Sequence, residues 1–186
     1  MIRPASFGKG LNVADTAQEL LAHVIAHYEA AAPGSVTPLP ERRAILAGDP
    51  REVAWDCEQL TVCLEGIGVG QAVDASNMTP SPRMGVPASA LALRHAVIAI
   101  SLVRCTPAPG NDGSAPSVAE LNAAGLTFLR DCGMLSQATV TFAGLLRDKL
   151  GGDDGSVQCG AVTPYGPTGG FHASDVAIAI TVPELI

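Results

Sequence analysis

The run His95-Ala96-Val97-Ile98-Ala99-Ile100-Ser101-Leu102-Val103-Arg104-Cys105 is rich in β-branched residues and is closed by Thr106-Pro107-Ala108-Pro109-Gly110. Branched side chains suit the pleat of a strand, and Pro and Gly end one, so this is the strongest strand signal in the chain. Ile98, Ile100 and Leu102 alternate with Val97, Ala99 and Val103. Both faces are therefore apolar, which places the strand in the middle of a sheet with cover on both sides. One covering layer is expected from the helical region that begins at Ser117.

Other runs supply neighbours for this strand. Between Val53 and Leu64, the residues Leu60, Val62 and Leu64 alternate with Gln59, Thr61 and Cys63, the pattern of a half-buried antiparallel strand. Arg42 to Leu46 is a short strand candidate behind Pro38 and Pro40. Near the end, Val176, Ile178, Ile180 and Val182 alternate with Ala177, Ala179 and Thr181. Val157 to Val162 reads as the other arm of a hairpin, with Pro164-Tyr165-Gly166-Pro167-Thr168-Gly169-Gly170 as its turn.

Two helical regions flank these strands. Leu20, Leu21, Val24, Ile25 and Tyr28 recur at helical spacing, with Asn12, Asp15 or Thr16 as the cap and Pro33-Gly34 as the stop. Residues 1–14 show no periodicity and read as an arm. Ser117-Val118-Ala119-Glu120 matches a capping box. From it an apolar stripe runs through Leu121, Leu129, Cys132, Leu135, Phe142, Leu145 and Leu146. Gly125, Gly133 and Gly144 and the run Thr139-Val140-Thr141 weaken the helix. One bent helix, or two broken near Gly133, is expected before Gly151-Gly152.

Residues 66–89 are dense in Gly, Pro, Ser and Met. A long loop inside a compact domain is usually functional. The reading favoured is a projecting loop that orders on binding a partner; the plainer one is a slack hairpin connection. The fold class expected is α+β: an antiparallel sheet of four to six strands against two main helices, with the 66–89 loop projecting. A single domain is expected over 1–186.

The net charge of −7 argues against a protein that wraps or scans nucleic acid, because the 11 basic residues are scattered. No run approaches the roughly 20 apolar residues of a membrane-spanning helix. The N-terminus lacks the apolar core of a signal peptide, so a soluble, cytoplasmic protein is expected. Five cysteines, without a Cys-x-x-Cys, read as small buried hydrophobes rather than a disulfide framework.

Candidate chemistry is thin. His23 and His27 are one helical turn apart, but lack the Glu of a metalloprotease motif. They read as solvated helix residues rather than metal ligands. Cys57 or Cys63 with His95 or His172 would make a nucleophile and base only if the fold joined them. Gly166-Pro167-Thr168-Gly169-Gly170 lacks the Lys and the following helix of a phosphate loop. Asp153-Asp154 reads as a polar helix terminus. No catalytic residue, metal or cofactor is assigned.

Three stretches, taken together, resemble a known family. They are Trp55-Asp56-Cys57-Glu58-Gln59-Leu60-Thr61-Val62, the strand Ile100-Ser101-Leu102-Val103-Arg104-Cys105 with its Pro-rich exit and Asp112-Gly113, and Tyr165-Gly166-Pro167-Thr168-Gly169-Gly170 before the final alternating strand. Over roughly residues 50–182 the chain is similar to neck and tail-completion proteins of siphophages that infect actinobacteria, and its element order to the lambda-type tail terminators. The resemblance implies a structural protein, not an enzyme, that forms a hexameric ring capping the tail tube. Its partners would be other copies of itself, the tail tube protein and the head-tail connector or stopper. DNA would pass through without sequence-specific binding, and no membrane is involved. Its place would be the virion neck, reached from the host cytoplasm during assembly. Expected assembly contacts are Met78, Pro80, Arg83 and Met84 in the long loop, and Tyr165 and Pro167 in the turn. The alternatives are a head-completion stopper or adaptor of the neck, and a small cytoplasmic Cys/His enzyme.

Overall fold

A computed structural model describes residues 11–31, 37–48, 58–69, 94–111, 113–151, 157–168 and 170–182. It has two helices and six strands: α1 Val13–Glu29, β1 Arg42–Ala47, β2 Gln59–Val69, β3 Arg94–Cys105, α2 Val118–Lys149, β4 Val157–Cys159, β5 Thr163–Thr168 and β6 Phe171–Val182. The sheet order is β1-β2-β3-β6-β4, and β5 also pairs with β6. The fold class is α+β, one sheet packed against two helices, as the patterning predicts.

The run 95–105 is the central strand. β3 pairs with β2 on one side and with β6 on the other, in register from Arg94↔Val182 to Cys105↔Phe171. Every residue of β3 between its ends is buried. Ile98, Ile100 and Leu102 join Leu60, Val62, Val176, Ile178 and Ile180 on the helix-facing side. Leu20, Val24 and Tyr28 of α1 and Leu135, Phe142 and Leu146 of α2 close that core. Each such side chain contributes roughly 1.5–3 kcal/mol on leaving water. The opposite face is narrower and more polar. Val97, Ala99, Ala177 and Ala179 form a second buried cluster there, in line with buried Thr61, Ser101 and Asp175.

Four sequence expectations are corrected. First, the sheet is mixed, because β1 runs parallel to β2. Residues 48–58 lie between them, enough chain to return along a strand of six residues at about 3.3 Å each. Second, β2 continues through Gly66 and Gly68 to Val69, crossing a register shift after Leu64. A β-carbon on Gly68 would overlap the His95 imidazole, so the glycine that suggests a loop serves a close packing contact instead. The rest of the expected 66–89 loop lies outside the described residues. Third, the expected apolar stripe of α2, which is one helix as the first of the two expected forms had it, is not all core-facing. Leu121, Leu129 and Leu145 face solvent rather than the core. Fourth, most of 164–170 is strand: β5 runs to Thr168 and β6 starts at Phe171, and β4 and β5 share the same edge of β6. At the other end of the chain, Leu11 packs into the core and Asn12 caps α1, so the expected arm ends before residue 11.

Candidate functional site

The described residues converge most closely at one end of the sheet, where β2 begins and β3 ends. Arg104 points from β3 toward the helices. Its Nε donates to Asp131 Oδ2 at 2.9 Å and its Nη2 to Asp131 Oδ1 at 3.3 Å. Its Nη1 donates to the Pro38 carbonyl at 2.8 Å and to Glu58 Oε2 at 3.0 Å. Nη2 also meets the Thr37 carbonyl at 3.5 Å. The Tyr28 hydroxyl donates to Asp131 Oδ1 at 3.3 Å. Glu58 accepts from the Cys105 amide at 3.1 Å and holds a positive φ of 65°.

The electrostatics explain why this cluster is stable. Burial works against the Arg104 charge, but the hydrogen bonds and charges of Asp131 and Glu58 outweigh it and raise its pKa. Burial, then the Asp131 charge, lifts the Tyr28 phenol well above the ordinary tyrosine range, so it remains a donor. The donor fork of Arg104 is occupied by protein acceptors on five sides. Chemically this is a clamp. It fastens α1, the 37–40 segment, the start of β2, the end of β3 and α2 to one another.

Beside the clamp, His172 of β6 lies against Phe128 of α2, with ring centres 4.3 Å apart. Burial lowers its pKa, the Asp131 charge opposing. Cys132 Sγ lies 3.1 Å from Ser174 Oγ.

Of the expected assembly contacts, Met78, Pro80, Arg83 and Met84 lie outside the described residues. Tyr165 sits on β5 opposite Ala173, half-buried, and Pro167 lies in the same strand. Both belong to the clamp end of the sheet, because β5 meets the first residues of β6. Cys63 is joined to neither histidine. Cys63 lies opposite Ala99, four residues along β3 from His95, about 13 Å at 3.3 Å per residue. His172 pairs with Arg104, five residues or about 17 Å from Ala99 in the other direction. Cys57 lies outside the described residues. His23 and His27 stack at 6.4 Å, and His23 also packs on Phe142. Among the described residues no three His, Cys, Asp or Glu side chains group to hold a metal. No helix among them is long and apolar enough to cross a membrane.

The clamp was not anticipated from the sequence. The available signals were a charge at the end of an apolar strand, Arg104, and an acid, Asp131, four residues before the buried Leu135. No family model and no curated protein matches the chain.

Proposed function

We propose that the chain is a structural protein of a phage neck, a tail terminator whose copies form a ring on the tail tube and meet the head connector. The observation that carries this reading is convergence. The described parts of the three stretches of the resemblance reach one end of the sheet. Gln59 opens β2 there, Cys105 closes β3, and Tyr165 and Phe171 bring β5 and β6 to the same edge. The Arg104 clamp braces that end. A braced sheet end that presents its connections suits a protein whose work is contact rather than turnover.

The test is a phage lacking the gene, its lysate imaged by negative-stain electron microscopy. Tails of abnormal length beside unattached, filled heads are expected. Normal free tails with leaking heads would move the protein to the head side, as a stopper or adaptor. Intact particles would overturn the neck reading.

A further inference from the structure

No residue of α2 before Asp131 is buried. Among the described residues, this part of the helix is covered along one side only, through half-buried Ala124, Thr127 and Phe128. On the other side Val118, Leu121, Leu126 and Leu129 are 74%, 51%, 54% and 67% exposed. Leu121, Gly125, Leu129 and Gly133 follow one another at four-residue spacing and so form a single ridge. The ridge alternates a large side chain with none. Outside the helix's own turns, a β-carbon on Gly125 or Gly133 would meet none of the described residues within 4 Å, so their packing does not call for either glycine.

Charge limits what fits here. At 100° per residue, Glu120 and Arg130 lie across the helix from Gly125, which leaves the ridge uncharged. The molecule carries −7 overall, so a contact between two copies is least opposed where the touching faces add no like charges of their own. A charged partner finds no complement on this ridge. A copy of the same ridge does fit. In an antiparallel crossing centred between Gly125 and Leu129, Leu129 of each copy falls on Gly125 of the other. Leu121 then falls on Gly133 of the other copy, so every knob meets a notch.

We propose that α2 pairs with α2 of a second copy in this antiparallel arrangement. The contact is isologous and closes at two copies, so it is separate from the heterologous contacts a ring requires. It stands without the neck reading.

The test is sedimentation velocity on the full chain across the micromolar range. The wild type is expected to pass from monomer to dimer. Leu129→Glu is expected to stay monomeric with an unchanged far-ultraviolet circular dichroism spectrum. Gly125→Leu with Gly133→Leu fills the notches while improving helix propensity, and is expected to fold and to lose the dimer. This second variant decides the matter if the first fails to fold. A wild type that is monomeric throughout overturns the proposal. Association that persists in the folded variants, as a dimer or a six-fold species, also overturns it and leaves the ring reading untouched.

Discussion

Arg104 and Asp131 form the buried ion pair of the clamp. Both side chains are almost wholly inaccessible, while Glu58 is half exposed. Removing one member of a buried pair strands the other, at a cost of about 3–5 kcal/mol. Asp131→Ala is therefore expected to lower the urea unfolding free energy by that order. The double change Arg104→Met with Asp131→Leu should cost less than the single one, because it leaves no uncompensated charge from the pair. Equal losses in both would show that packing, not charge, sets the value. Little of this pair was legible in the sequence. Each residue stands out as a charge in an apolar pattern, yet they are 27 positions apart. Periodicity reports which face a side chain occupies, not which partner waits there.

At the scale of elements, α2 shows what local signals decide and what they do not. Its start was legible. The Ser117 hydroxyl accepts from the Glu120 amide at 3.2 Å, and the Glu120 carboxylate accepts from the Ser117 amide at 2.8 Å. The Ser117 hydroxyl, donating to the Glu120 carboxylate at 2.7 Å, and then the Ser117 amide hold the exposed Glu120 carboxyl below its ordinary range. Ser117→Ala is expected to cost about 1 kcal/mol, read as a lower thermal midpoint. An unchanged midpoint would mean that the solvent-facing first turns frays without cost to the fold. The helix's continuity was not legible. Three glycines cost about 1 kcal/mol each relative to alanine, but the buried run from Leu135 to Leu146 anchors the helix beyond the weak positions. The central strand was legible because both its faces are apolar. β5 was not, since Pro164, Gly166 and Pro167 are turn residues by composition, and β6 recruits them through its free edge.

For the molecule as a whole, the buried histidines set an acid limit. Burial lowers the pKa of His23, with His27 adding to the effect, and burial lowers those of His95 and His172. The unfolded chain takes up protons from about pH 6.5 downward, where the folded chain resists them. Stability is thus full above that pH and falls as pH drops through it toward the folded values. Urea midpoints should be lower at pH 5.5 than at pH 7.5, and His95→Leu should flatten part of the difference. A midpoint constant across that range would rule out the histidines as the cause. That one sheet packs against two helices was legible from element order and patterning. The parallel β1–β2 pair was not, because strand direction depends on where a connection returns, and residues 48–58 carry no periodic signal.

The place of β6 has a consequence for how the chain is made. Residues 171–182 lie between β3 and the β4–β5 edge, although the ribosome delivers them after every other described element. Until they emerge, β3 has one partner and one open edge of apolar backbone, the kind of edge that pairs with other chains. The sheet therefore closes late, by insertion of its penultimate position rather than by addition at a rim. A nascent chain stalled before residue 171 would present its most adhesive strand to the cell, and the finished protein conceals it.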